Sequence, residues 1–115
     1  MRPVLKKSTY YHCGLGPAFD VIGGKWKAVI LYEVQKEVRR TGELRRLIPA
    51  ISEKMLAQQL REMERDGLVV RTVYGEAPPR VEYSVTGEGR ALHKALGPIA
   101  DWGEAYMRRR EQNAA

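Results

Sequence analysis

The chain has 115 residues, of which 43% are hydrophobic and 30% charged, which predicts one globular domain with little spare core for an enclosed catalytic pocket. Its net charge of +6 attracts polyanions such as nucleic acid or an acidic membrane face. No apolar stretch approaches the roughly 20 residues that span a bilayer, and no secretory signal follows the basic N-terminus. The single cysteine, Cys13, excludes an internal disulfide, and we expect a cytoplasmic protein.

The N-terminal third combines an arm with two helical patterns. Residues 1–16 show no sustained period and contain two glycines, which indicates either an arm or a loosely docked short helix. Pro17 suits the first position of a short helix, and a second helix is predicted over residues 25–36. The apolar side chains predicted to face inward from that second helix are Trp26, Val29, Ile30 and Val34.

Two further helices, separated by a tight turn, are predicted next. Thr41 is the expected N-cap of the first, over residues 41–48, and Pro49 ends it. Ser52 is the expected N-cap of the second, which ends before Gly67, a residue type typical of left-handed helix stops. The side chains predicted to face the core are Leu44, Leu47 and Ile48 in the first helix and Leu56, Leu60 and Met63 in the second.

After residue 67 the pattern changes from helical to alternating. Residues 68–74 and 80–85 are rich in Val, Thr and Tyr, and a Gly- and Pro-containing segment separates them, which predicts a β-hairpin. Thr86 can cap a last long helix, which Pro98 is expected to kink.

The order of these elements defines the expected fold class: α+β, mainly α, a winged helix-turn-helix with a C-terminal dimerisation helix. The expected boundaries are an arm over 1–16, a winged helix-turn-helix over 17–86 and a dimerisation helix over 87–115, in one domain overall. The apolar stripe of the last helix is longer than one small winged helix needs to cover, so part of it is expected to bury against a second copy. The expected dimer residues are Leu92, Leu96, Ile99, Trp102 and Tyr106.

Several blocks of the sequence carry a family likeness. They are FDVIGGKWK from Phe19, ELRR from Glu43 followed by IPAIS, QLREMERDGLV from Gln59, and PPRVEYS from Pro78. In order and spacing they resemble the HxlR-type winged helix-turn-helix regulators of the MarR-like superfamily, over about residues 13–107. The resemblance implies a bacterial transcription factor that binds a pseudo-palindromic operator as a homodimer, and therefore a cytoplasmic protein associated with the nucleoid.

The sequence departs from that family pattern at three places. Thr41 stands where an aromatic residue is usual, Ala50 stands where a glycine is usual, and the proline that usually follows the cysteine is missing after Cys13. The first two departures bear on how the two helices pack, and the third on the geometry of the arm.

In the helix that follows Ser52, the predicted apolar side faces the core, so helical geometry directs a strip of polar side chains outward. The candidates for base reading are Ser52, Lys54, Gln58 and Arg61. Gln58 can reach the edge of an adenine, and Arg61 can serve a guanine or a phosphate, while the helix N-terminus favours phosphate near Ser52 and Lys54. The alternative is a solvated face of the kind that any basic protein exposes.

Other basic side chains are expected to contact the DNA backbone and position the protein. These candidates are Lys25, Lys27, Arg45, Arg46, Arg65 and, in the wing, Arg80. For each of them a solubilising role is the alternative. Arg39 and Arg40 are interpreted as a solvated charge pair in a short edge strand.

The resemblance also suggests a role for Cys13, because some family members sense oxidants or electrophiles through a cysteine ahead of the first core helix. A reactive thiolate needs nearby positive charge and access to solvent, and Lys6, Lys7 and His12 are close in sequence. One cysteine per chain allows an intersubunit disulfide, a mixed disulfide or a sulfenic acid. An oxidant or small-molecule effector is therefore one hypothesis, and an inert cysteine is the other.

Three other classes of function were weighed. An enzyme needs converging acids, bases, nucleophile or metal ligands, which the two distant histidines and the single cysteine do not supply, so neither catalysis, a metal nor a cofactor is expected. An RNA-binding protein would need an aromatic-studded sheet. A winged-helix protein-interaction module without sequence-specific DNA binding is the main alternative.

Overall fold

The computed structural model describes residues 13–114. In chain order its elements are α1 (Leu15–Ile22), α2 (Lys27–Lys36), α3 (Thr41–Leu47), α4 (Glu53–Arg65), β1 (Val69–Tyr74), β2 (Arg80–Val85) and α5 (Gly87–Ala114). This order confirms the predicted mainly helical α+β fold with a hairpin between the fourth and fifth helices. The first helix begins at Leu15, so Pro17 lies in its first turn rather than at its first position.

One core joins α2, α3, α4 and the hairpin. Its buried side chains are Ile30, Leu31, Val34, Leu44, Ile48, Ile51, Leu56, Leu60, Met63, Leu68, Val69 and Tyr83. Val29 and Leu47 were expected to face inward and are exposed. On α2 the buried stripe passes through Leu31 instead of Val29, and Leu47 lies on the outer side of the pair formed by Leu44 and Ile48.

Local hydrogen bonds set the ends of the two helices in the middle of the chain. The Ser52 hydroxyl accepts from the Met55 backbone N–H at 3.1 Å, which confirms Ser52 as the N-cap of α4. Gly67 has φ +78°, the left-handed conformation expected just past a helix end. The expected cap of α3 is wrong by one residue: the helix begins after Arg40, whose backbone N–H donates to the Glu43 carboxylate at 3.0 Å.

The wing is a two-stranded antiparallel hairpin to which a third segment adds one bridge. Strands β1 and β2 pair from Val69 opposite Val85 to Tyr74 opposite Arg80. Arg39 and Tyr83 exchange both backbone hydrogen bonds, at 3.0 and 2.8 Å, so the segment between α2 and α3 lines the edge of the hairpin. The guanidinium of Arg39 is largely buried and lies 3.6 Å from the Glu33 carboxylate, so its interpretation as a solvated charge was wrong.

The start of α5 is tied to the end of α4. The Thr86 hydroxyl accepts from the Gly89 backbone N–H at 3.0 Å and donates to the Gly67 carbonyl at 2.6 Å, which confirms Thr86 as a cap. Gly89 is buried, and a Cβ placed on it would lie 2.3 Å from the Leu68 carbonyl oxygen. Only glycine allows this approach. The helix then runs through Pro98 to Ala114.

Within residues 13–114, none of the helices has both the length and the apolar character that crossing a membrane requires.

Candidate nucleic-acid interface

The outward face of α4 carries a continuous polar strip. Leu56, Leu60 and Met63 are almost completely buried on one side of the helix, and Lys54, Gln58, Arg61 and Arg65 follow one another at intervals of four, three and four residues on the other. All four are exposed, as is Ser52 at the N-cap. Because the apolar side locks the helix onto the core, the polar strip is held in a fixed outward orientation.

Lys27, the first residue of α2, was expected to contact the DNA backbone but is buried. Its side chain is only 6% exposed, and its ammonium nitrogen lies 2.5 Å from Oε1 of Glu62. A buried and paired ammonium is not available to a DNA phosphate, so the prediction that Lys27 contacts the backbone was wrong. Lys27 instead joins α2 to the C-terminal part of α4 through Glu62.

Glu62 links this buried pair to the polar strip. Its second oxygen, Oε2, accepts a hydrogen bond from Nε2 of Gln58 at 3.3 Å. The hydrogen bond from Lys27 lowers the pKa of the Glu62 carboxyl below its ordinary value; desolvation opposes this effect and the Gln58 amide adds to it. The carboxylate is therefore ionised at neutral pH and acts only as an acceptor.

Two arginines lie beside the first turn of α4, in a groove between α3 and α4. The groove is lined by Thr41, Gly42, Arg45, Arg46, Pro49, Glu53, Leu56 and Ala57. Arg45 and Arg46 are both exposed, and the Arg45 guanidinium is 3.9 Å from the Glu53 carboxylate. An exposed pair at this distance holds the Arg45 side chain only weakly, and Arg46 beside it is also open to solvent.

Two further cations predicted to contact the DNA backbone, Lys25 and Arg65, are both exposed to solvent. Lys25 is exposed, with its ammonium 4.8 Å from the centre of the Trp26 ring. Arg65 is exposed at the end of α4 and lies 3.7 Å from the Asp66 carboxylate. Lys25 precedes α2 by two residues, and Arg65 is the last residue of α4 and of the polar strip.

Arg80, at the start of β2, is held by the hairpin itself. Its guanidinium stacks over the Tyr74 ring at 4.1 Å and lies 3.4 Å from Glu76 and 3.8 Å from Glu82. The side chain is about one third exposed. In this conformation its charge is compensated by two carboxylates, so a phosphate would have to compete with them.

The far part of α5 exposes an apolar face. Leu92 and Leu96 pack against the core of their own chain, whereas Ile99, Trp102 and Tyr106 are 57%, 61% and 43% exposed. The Trp102 and Tyr106 rings stack with centroids 5.0 Å apart. Three further large apolar side chains are exposed: Leu15 and Phe19 of α1, and Met107 of α5. The sequence analysis did not predict these three as residues of a dimer interface.

Cys13 is exposed and precedes α1 by two residues. Lys6, Lys7 and His12, the basic neighbours expected from the sequence, lie outside the described residues. Among residues 13–114 there is no group of three or more His, Cys, Asp or Glu side chains placed to hold a metal ion.

Helix α3, the turn at Pro49, the capped helix α4 and the hairpin after it together define a winged helix-turn-helix. The HxlR-like helix-turn-helix family model matches residues 21–111, and the chain belongs to that family. It is 46% identical over 97 residues to the uncharacterized HTH-type transcriptional regulator YdeP of Bacillus subtilis (strain 168). The aligned region covers 84% of this chain and 76% of YdeP.

Solved structures of the redox regulator HypR are similar to this chain in both sequence and fold. The reduced form matches with 42% identity and a TM-score of 0.80, covering 87% of this chain and 99% of that one. The oxidized form matches with 45% identity and a TM-score of 0.75, covering 81% and 96%.

Proposed function

We propose that this protein is a sequence-specific DNA-binding transcriptional regulator that acts as a homodimer on a pseudo-palindromic operator in the cytoplasm. The observation that carries the proposal is the polar strip of α4, exposed along its length and fixed by a buried apolar side. A helix of this kind, preceded by a tight turn and followed by a wing, fits the major groove of B-DNA. The relatives named as transcriptional regulators support the same function.

The contacts divide into two kinds. Gln58 and Arg61, in the middle of the strip, are proposed to read base edges, with Ser52 and Lys54 at the start of α4, where the helix N-terminus also favours a phosphate. Arg65 at the other end is proposed to contact the backbone. The remaining proposed backbone contacts are Lys25, Arg45 and Arg46, and Arg80 once it is released from its carboxylates.

The exposed apolar face of α5 supports the dimer. Ile99, Trp102 and Tyr106 present adjacent large side chains that the chain's own core does not cover, and such a patch is typical of a subunit interface. A two-fold dimer formed through α5 would place its two recognition helices about 34 Å apart, one turn of DNA. Leu92 and Leu96, also expected in the interface, would support it from beneath.

Replacing Gln58 with alanine is expected to weaken binding to the operator by about 1–3 kcal/mol while leaving binding to random DNA unchanged, because a base contact contributes only on the specific site. Fluorescence anisotropy on both duplexes at several salt concentrations measures this difference. The wild type is expected to lose affinity steeply as salt rises, since its phosphate contacts release counterions.

The matched control is Arg45→Ala, which should weaken binding to both duplexes alike because Arg45 is proposed to contact phosphate. Equal losses on operator and random DNA for Gln58→Ala would remove Gln58 from the base-reading set. Weak, sequence-blind binding by the wild type would instead favour a protein-interaction module.

We further propose that Cys13 makes the protein responsive to oxidants or electrophiles. Its exposure ahead of α1 and the likeness to a redox regulator solved in oxidized and reduced forms support this assignment. Oxidation by a peroxide would convert the thiolate to a sulfenic acid and the peroxide to water or an alcohol. The sulfenic acid could then condense with a second thiol, either Cys13 of another copy or a small thiol, and release water.

Mild peroxide treatment is expected to lower operator affinity of the wild type and to leave Cys13→Ser unaffected, because the variant has no other cysteine to oxidise. Anisotropy before and after treatment gives the affinities, and intact-protein mass spectrometry identifies the product on Cys13. Identical responses from the two proteins would show that Cys13 has no part in sensing.

A further inference from the structure

Three side chains from two helices are joined by hydrogen bonds that lead from α2 to Gln58 on the polar strip of α4. Lys27 of α2 donates to Oε1 of Glu62, and Nε2 of Gln58 donates to Oε2 of the same carboxylate. Lys27 and Glu62 are 35 residues apart in sequence, so the contact exists only in the folded domain. Each carboxylate oxygen therefore has its own donor.

The Lys27–Glu62 pair holds the carboxylate in place. The side chains are 6% and 25% exposed, so solvent screens this pair less than an exposed one, and a displaced Lys27 would leave a buried ammonium without a partner. Glu62 is thereby restricted to orientations in which Oε1 stays on Lys27. Its other oxygen is directed along α4 toward Gln58, one helical turn earlier.

A carboxylate in this position selects one orientation of the Gln58 amide. The amide nitrogen carries two hydrogens, one on the same side as its own oxygen and one pointing away from it. An ionised carboxylate has only acceptors, so it is repelled by the amide oxygen and best accommodated by the hydrogen that points away. The amide oxygen and the other N–H are then left free, side by side on one edge.

That free edge has the pattern that matches adenine in the major groove. Adenine presents the N6 amino group as donor and N7 as acceptor, and a glutamine bonds both with its oxygen and the adjacent N–H. We infer that Glu62, anchored by Lys27, is a positioning residue that orients the Gln58 amide for adenine before DNA is bound. This inference rests on the proposed function, in which Gln58 reads a base.

The central variant removes the pair while keeping the charge of the protein constant. Lys27→Met combined with Glu62→Met deletes one positive and one negative charge, and replacing a buried pair by apolar side chains of similar size is well tolerated. Binding sites are first selected by the full-length wild type from randomised duplexes of about 30 base pairs, long enough for two half-sites one turn apart. The base position at which Gln58→Ala loses selectivity is then identified.

At that position the wild type is expected to prefer adenine over the other bases. In the double variant this preference is expected to be about tenfold lower, which is within the range of coupling between contacting residues. Affinity for random duplexes should stay unchanged. Adding Gln58→Ala to the double variant should lower the preference for adenine by less than the same substitution lowers it in the wild type, because the two effects are coupled. Glu64→Met, which removes an exposed carboxylate of the same helix, serves as the control and should keep the wild-type preference.

Glu62→Gln keeps the shape of the side chain and provides a second variant that does not depend on how well the two methionines fold. It should reduce the adenine preference at least about threefold. A readout without DNA is the heteronuclear NOE of the Gln58 side-chain amide in 15N-labelled protein. It should be higher than that of the exposed Gln112 in the wild type and fall to the same level in Glu62→Gln.

The outcomes separate the inference from the proposed function. If Gln58→Ala loses adenine preference while the double variant and Glu62→Gln keep it, the positioning role is wrong and the proposed function stands. If Gln58→Ala itself keeps the preference, both the positioning role and base reading by Gln58 are wrong. If no sequence is enriched from the randomised pool, sequence-specific binding is wrong, and the positioning role is wrong with it.

Discussion

Replacing Gly89 with alanine is expected to destabilise the domain by about 2–4 kcal/mol, although alanine is the better helix former by about 1 kcal/mol. The reason is a steric one. The new Cβ would lie 2.3 Å from the Leu68 carbonyl oxygen and 2.8 Å from Cγ2 of Val85. The oxygen belongs to the backbone, so α5 has to move away from the hairpin. Urea denaturation followed by circular dichroism measures the loss.

Gly97→Ala is the matched control, because it makes the same change in the same helix at a site with no atom within 4 Å of the new Cβ. It should stabilise the protein by about 0.5–1 kcal/mol through helix propensity alone. A Gly89→Ala protein as stable as the Gly97→Ala protein would show that the first turn of α5 does not pack as closely on Leu68 as the structure has it.

Trp102→Glu is expected to convert the protein to a monomer and to weaken operator binding by about 100-fold or more, because each half-site alone supplies only part of the binding free energy. Trp102 is 61% exposed in the single chain, so the fold of the chain itself should persist. In a two-fold interface the substitution places a carboxylate in both apolar surfaces. Sedimentation velocity gives the mass, and anisotropy on the operator gives the affinity.

Val38→Glu adds the same charge at another apolar side chain of similar exposure, 52%, between α2 and α3. It should leave the dimer intact. A Trp102→Glu protein that remains dimeric at micromolar concentration would place the interface elsewhere than on the far part of α5.

The structural features that the sequence predicted correctly are those that depend on residues close to one another in the chain. Ser52, Gly67 and Thr86 each end or begin a helix through contacts with near neighbours or through their own backbone preference. The outward strip of α4 followed from helical periodicity, because its apolar side is regular. Such patterns need no knowledge of the rest of the fold.

What sequence missed depends on contacts between distant parts of the chain. Lysine is a residue type that commonly contacts phosphate, so Lys27 was predicted to contact DNA. Its burial against Glu62 depends on the packing of α2 on α4, which the local sequence does not show. Arg39 was likewise predicted to be solvated, but its side chain is largely buried because it pairs with Glu33 and its backbone bonds to the edge of β2. The position of Glu62 one turn after Gln58 was a usable signal for their hydrogen bond, but nothing local indicated that its other oxygen would be held from α2.

The hydrogen bonds of Thr86 to Gly67 and Gly89 join the chain just past α4 to the start of α5 and form a corner between the two helices. In a dimer held by α5, the angle at this corner determines how far apart the two α4 helices stand, and therefore which spacing of operator half-sites the protein accepts. An effector that bends α5 beyond this corner could change operator affinity without touching any residue that faces DNA.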